Sequence, residues 1–194
     1  IVSEYAGKEK KIAVGSIAQI HNWWARRPLA ACRAMNLACA LPDPADINCE
    51  VKHLNSIATE LDNLDYQIQR NRISNNFIIE ETTIGDLSEK RNDVMSLRRR
   101  LLQFVGEYSN WDLKNDSMYT NCAINMVGKI NGNCNVLLDS FAGGGSIPLE
   151  GQRIGLKAIA TDINPIPIIL NKLQLIQLPQ LELEKVVENC KSLA

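Results

Sequence analysis

The feature that most constrains this chain is a short apolar run that breaks into three consecutive glycines. Asn135-Val136-Leu137-Leu138-Asp139 leads through Ser140 to Phe141-Ala142-Gly143-Gly144-Gly145-Ser146, and Ile147-Pro148-Leu149-Glu150 follows. A brief aliphatic run between turn signals suits a buried parallel strand. Glycines at its carboxyl end let the backbone approach a ligand where a Cβ would stand in the way. From Ile147 a helix opens and stops at Gly155, a second strand runs from Lys157 to Thr161, and Asp162 closes it. Asn164-Pro165 then starts another helix that reaches about Gln177. Strand, glycine turn, helix, strand, acid is the opening of a doubly wound sheet. The expected fold class is therefore α/β, a partial Rossmann-like doubly wound parallel sheet, carrying an α-helical hairpin insertion.

The hairpin is expected from the middle of the chain. Residues 1–42 are a polar lead-in followed by an apolar helix, 43–115 are charged and periodic, and 116–194 hold the strand–turn–helix pattern. Leu54, Ile57, Leu61, Leu64 and Ile68 recur at spacings of three and four, which lays them on one helical stripe. Leu87, Val94, Leu97, Leu101 and Phe104 or Val105 mark a second helix, with a connecting loop around Asn75-Asn76 and Glu80 to Gly85. Such a pair is expected to pack antiparallel as a structural excursion. Before it, Pro28 suits the first turn of a helix to about Ala40, in which Arg33 and Asn36 are the only strongly polar residues. Asp116-Ser117 caps a further helix to about Ile130. Arg98-Arg99-Arg100 reads as a solvated helix face, with a phosphate-facing patch as the alternative.

Composition excludes several classes. The 194 residues carry 21 Lys and Arg against 22 Asp and Glu, so any phosphate-binding surface is a local patch. No apolar run approaches the roughly 20 residues of a membrane span, and no secretory signal is visible at the N-terminus. Cys32, Cys39, Cys49, Cys122, Cys134 and Cys190 show no two-residue pairing of a zinc or redox motif. They read as reduced thiols of a cytoplasmic protein. The first residue is not Met, so the chain reads as a fragment.

The chemistry expected of the glycine turn is adenosyl binding. Loop amides and a helix N-terminus supply favourable dipoles. Asp162, 19 residues beyond Gly143, would accept hydrogen bonds from a ribose diol. A dinucleotide fingerprint would read Gly-x-Gly-x-x-Gly, but its third glycine would fall at Pro148. Asp139-x-Phe141-x-Gly143-x-Gly145 instead resembles the first motif of amino-methyltransferases. Together with His21-Asn22-Trp23-Trp24-Ala25-Arg26-Arg27-Pro28-Leu29 and Thr161-Asp162-Ile163-Asn164-Pro165, the chain resembles a family of adenine-specific DNA methylases. Members of that family carry an uncharacterised N-terminal domain and often occur in anti-phage loci. The resemblance covers residues from about 8 to 42 and 104 to 172.

That resemblance implies a methyltransferase fold, S-adenosylmethionine as cofactor, DNA as partner and transfer to an adenine amino group. It implies that Asp139, Phe141, Ala142, Gly143, Gly144 and Gly145 form the cofactor loop, with Asp162 on the ribose and Ile163 against the adenine. His21 to Leu29 would close over the methionine end, bringing His21, Arg26 and Arg27 to the site. Arg26 or Arg27 would pair with the cofactor carboxylate, or alternatively with DNA phosphates. Trp23 and Trp24 would be core or a lid.

One departure is plain. The family methylates through a later Asp/Asn/Ser-Pro-Pro-Tyr/Phe tetrapeptide, which holds an extruded base, and this chain contains none. Asn164-Pro165-Ile166-Pro167 follows the second strand, lacks the aromatic and reads as a helix start. No catalytic residue is therefore assigned, and an open strand edge is expected to be covered by the rest of the polypeptide or by another chain. A non-catalytic nucleic-acid-binding or assembly subunit is the alternative. A nucleotide-cofactor oxidoreductase is the weaker third.

Overall fold

The fold is read from a computed structural model, which describes residues 1–9, 27–74, 94–113 and 115–177. His21, Trp23, Trp24, Arg26, the loop around Asn75-Asn76 and Glu80 to Gly85, Leu87 and Cys190 lie outside the described residues.

Helical periodicity governs most of the described chain. Helix α1 is Val2–Glu9, α2 Leu29–Ala40, α3 Val51–Ser74, α4 Val94–Tyr108 and α5 Ser117–Asn131. On α3 the expected stripe faces inward: Ile57, Leu61 and Leu64 are buried, and Leu54 and Ile68 pack at the margins. Leu97, Leu101, Phe104 and Tyr108 do the same on α4, and Tyr119, Cys122, Ala123, Met126 and Val127 on α5. Phe104, Tyr108 and Tyr119 stack with ring centroids 5.9 to 6.4 Å apart, joining α4 to α5. Asp116 caps α5 as expected, its carboxylate accepting the amides of Met118 and Tyr119.

Charges reinforce these contacts at their edges. Arg100 reaches Asp62 at 3.0 Å and Asp65 at 2.6 Å, strapping α4 to α3. Arg98 pairs with Asp43 at 2.9 Å. Two of the three consecutive arginines are thus committed to carboxylates of this chain. The carboxylate of Glu60, buried on α3, receives Lys129 Nζ and Asn125 Nδ2 from α5.

After α5 the pattern changes. Strand β1 is Val136–Asp139, α6 is Ser146–Arg153, β2 is Lys157–Ala160 and α7 is Pro165–Lys172, running on into a π turn at Leu173–Gln177. The strands pair in parallel, Val136 opposite Lys157 through Asp139 opposite Ala160. Gly151 lets α6 lie close on this pair, because a Cβ there would meet Leu137 Cδ1 at 3.1 Å.

The expected fold class is not what the structure shows. The described residues are mostly helical, with seven α-helices and two four-residue strands, and they form no doubly wound Rossmann-like sheet of methyltransferase type. The strand–helix–strand order was legible from apolar run lengths, but two strands do not set the architecture. The remaining apolar residues recur at three and four, so their burial is satisfied between helices. The core accordingly joins α2, α3, α4 and α5. The hairpin expected as an excursion supplies much of it. Sheet residues Val136, Leu138 and Ile159 stay half or more exposed.

No helix among the described residues is long and apolar enough to cross a membrane. The five described cysteines are free thiols.

Candidate functional site

The carboxyl ends of β1 and β2 gather most of the residues expected at the site. Parallel pairing continues one step past the strands, with Thr161 N–H donating to Asp139 O at 2.9 Å and Ala142 N–H to Thr161 O at 3.0 Å. The chain must then reverse into α6. It does so in a turn closed by Gly145 N–H on Ala142 O at 2.8 Å, with φ of +49° at Gly143 and +78° at Gly145. Those values lie in the left-handed region that only glycine adopts at low cost.

Side chains from beyond β2 fix the turn. Asp162 Oδ2 accepts the Gly143 amide at 2.9 Å, and its Oδ1 accepts the Asn164 amide at 2.9 Å. Backbone N–H groups of Asn164, Gly143 and Ile163 hold the Asp162 carboxyl below the usual carboxylate range. Asn171 Nδ2, on α7, donates to Gly143 O at 3.1 Å and to Pro167 O at 2.8 Å. Both polar atoms of Gly143 are therefore held by side chains. Asn171 Oδ1 is buried and unpartnered among the described residues, and a Cβ on Gly145 would stand 2.4 Å from it.

Gly143 and Gly144 stay half-buried in the turn, while Gly145 and Ser146 are buried. The amides of Gly144, Ser146 and Ile147 donate to no group among the described residues, as expected of a helix N-terminus with no side-chain cap. Phe141 and Ile163 flank the turn at 77% and 91% exposure. Asp139 keeps its carboxylate near the turn, with Oδ1 accepting the Phe141 amide at 3.2 Å. Among the described residues no lysine or arginine pairs with Asp139 or Asp162. Nor does any group of three His, Cys, Asp or Glu suited to a metal occur among them.

Asp139, Phe141, Ala142, Gly143, Gly144, Gly145, Asp162 and Ile163 are thus brought together. Arg27 is not: it lies exposed just ahead of α2, with no ion pair or hydrogen bond to the turn. His21 and Arg26 lie outside the described residues.

Behind the turn is a group that motif reading passed over. Glu150, fully buried on α6, accepts Arg33 Nε at 2.6 Å, and Arg153 Nε approaches it at 3.2 Å. Arg33 also donates Nη1 to Tyr108 O at 2.7 Å and lies 5.0 Å from the Tyr108 ring centroid. Asn36 Nδ2 donates to Ile147 O at 2.9 Å. The available signal was two lone polar residues on an otherwise apolar α2. Asn171 gave no comparable signal, since one asparagine in a helix reads as surface.

Comparison with known proteins bears on the N-terminal part. A family model described as a protein of unknown function (DUF1156) matches residues 1–68. No curated protein and no solved structure matches the chain. The matched segment contains α1, α2 and most of α3, including Arg33 and Asn36, and ends well before the glycine turn.

Proposed function

We propose that the glycine turn is an S-adenosylmethionine site and that this chain supplies the cofactor-binding portion of a DNA amino-methyltransferase acting on adenine N6. The observation that carries the reading is the Gly143 turn, held open by Asp162 and Asn171 beside the uncapped start of α6. The residues fit the group on three counts. An ionised Asp162 accepts the backbone amides of Gly143, Asn164 and Ile163 and, with about four acceptor sites on its two oxygens, retains capacity for a ribose hydroxyl. The Gly144 amide, beside the uncapped start of α6, is a donor for a carboxylate. The carboxylates of Asp139 and Asp162 beside the turn suit a sulfonium better than a pyrophosphate.

When bound, S-adenosylmethionine supplies an electrophilic methyl. The contribution of this chain is to hold the adenosyl group on Asp162 and Ile163 and to align it. DNA as substrate, and adenine as the base, rest on the likeness of His21–Leu29, Asp139–Gly145 and Thr161–Pro165 to adenine-specific DNA methylases. Residues that grip the target base belong to a Pro-Pro-aromatic tetrapeptide that this sequence does not contain, so cofactor binding alone is assigned to it. A cytoplasmic setting, suited to DNA and to free thiols, belongs to the same proposal.

Titration calorimetry of S-adenosylmethionine, S-adenosylhomocysteine and NAD against the full chain tests the reading. It expects both adenosyl compounds to bind, NAD not to compete, and Asp162→Ala to weaken binding at least about tenfold. Preferential NAD binding would replace the reading with a dinucleotide site, and no adenosyl binding would refute it.

A further inference from the structure

Helix α2 buries two polar residues together with the apolar Leu29, Ala30, Cys32, Ala34 and Leu37. Its two strongly polar residues, Arg33 and Asn36, are 1% and 6% exposed, while Met35 on the same helix is 62% exposed. Burying a guanidinium and an amide is costly unless each is fully partnered. Their partners include Glu150 and the carbonyl of Ile147, both on α6. Ile147 is the second residue of α6, directly behind the glycine turn, and Glu150 lies less than one helical turn further on.

We infer that α2, inside the segment matched by the family of unknown function, positions the glycine turn by gripping α6 through Arg33 and Asn36. Three features support this. Apolar replacement of a buried ion pair is often neutral or stabilising, so the Arg33–Glu150 pair is poorly explained as a source of stability. Its geometry is, however, directional: Arg33 bridges Glu150 and the Tyr108 carbonyl, which fixes α6 against both α2 and the end of α4. The groups facing the pair, Arg153 and the Tyr108 ring, also come from those packed elements. Finally, the two helices lie in direct contact here, since a Cβ on Gly151 would sit at ordinary contact distance, 3.6 Å, from Asn36 Nδ2. A shift of α6 would carry Gly145 and the adjoining amides with it. Arg33 and Asn36 are therefore positioning residues, and their role toward a ligand rests on the cofactor reading above.

The test is amide hydrogen exchange of the full chain without ligand, paired with S-adenosylhomocysteine titration. The double variant Arg33→Met/Glu150→Met removes the buried pair, and Arg153, which loses Glu150, keeps access to water and its bond to Asn115. The variant is expected to keep α3 and α5 exchange unchanged, while exchange at the Gly143 and Gly145 amides rises at least about tenfold and affinity falls at least about tenfold. Asn36→Ala, which strands no charge, is expected to move both readouts in the same direction by at least about threefold. It decides the matter should the double variant not fold. A turn that exchanges at the unaltered rate in the folded variants overturns the inference, as does unaltered affinity. If the unmodified chain binds no S-adenosylhomocysteine while turn exchange rises in the variants, the cofactor reading fails and the positioning role stands.

Discussion

Replacing Gly145 by alanine separates two costs that the structure assigns to different atoms. The first is conformational: at φ +78° an L residue costs about 1–2 kcal/mol. The second is steric, because the new Cβ would lie 2.4 Å from Asn171 Oδ1. The Asn171 amide must move, and moving it forfeits the bonds to Gly143 O and Pro167 O. At ~0.5–1.5 kcal/mol each, those two bonds add ~1–3 kcal/mol. Gly155 is the control, with φ +86° and only Ile124 Cγ2 at 3.4 Å from an added Cβ. Reduced unfolded-chain entropy affects both alanine variants alike and cancels in the difference. Equilibrium urea unfolding should therefore show Gly145→Ala destabilised by ~2–5 kcal/mol and Gly155→Ala by ~1–2 kcal/mol. In an Asn171→Ala background the Gly145→Ala cost should fall by a coupling of ~1–3 kcal/mol, leaving the conformational cost and the contact with Gln174 Oε1 at 3.2 Å. Equal costs at the two glycines, or no coupling to Asn171, would refute the assigned contact.

Other outcomes follow from the same structure. Arg33→Met alone leaves buried Glu150 without its closest cation and should cost ~3–5 kcal/mol in urea unfolding, most of it recovered by adding Glu150→Met. Arg98→Ala should change stability by less than ~1 kcal/mol, since the pair with Asp43 is roughly two-fifths exposed. Burial beside Glu60 pushes the Cys122 thiol up to about 12, so at pH 8 its thiolate fraction is on the order of 10⁻⁴. Native-state alkylation mapped by mass spectrometry should spare Cys122 and label exposed Cys39 and Cys134. Asp162 is held below its ordinary 3.8, so its contribution is complete above that value and is lost as pH falls through the lower folded value. Adenosyl affinity followed by titration should accordingly stay flat from about pH 5 to 8 and decline only below the usual carboxylate range.

Sequence periodicity located much of this molecule, with limits that have physical causes. The α3 stripe from Leu54 to Ile68 was readable because burial on one face imposes a three-and-four spacing. The turn at Gly143–Gly145 was readable because positive φ demands glycine. Apolar runs at Val136–Asp139 and Lys157–Ala160 correctly gave strands, but a run of four says nothing of how many neighbours its strand has. That is why a doubly wound sheet was expected where the described residues pack helix on helix. Asn171, which clamps Gly143 from a position 28 residues later, was invisible because its partner is a backbone carbonyl and leaves no mark in the sequence. Arg33 and Asn36 were visible as oddities on an apolar helix, but their partners on α6 emerge only from the tertiary packing.

Backbone amide NMR of the full chain during titration with S-adenosylhomocysteine reads directly whether the glycine turn receives an adenosyl group. An adenosyl group bound there should give saturable shifts concentrated at Gly143, Gly144, Gly145, Ser146, Asp162 and Ile163, with the α3 and α5 amides unmoved. Saturable shifts centred elsewhere, or no shifts at these six amides, would contradict adenosyl binding at the turn.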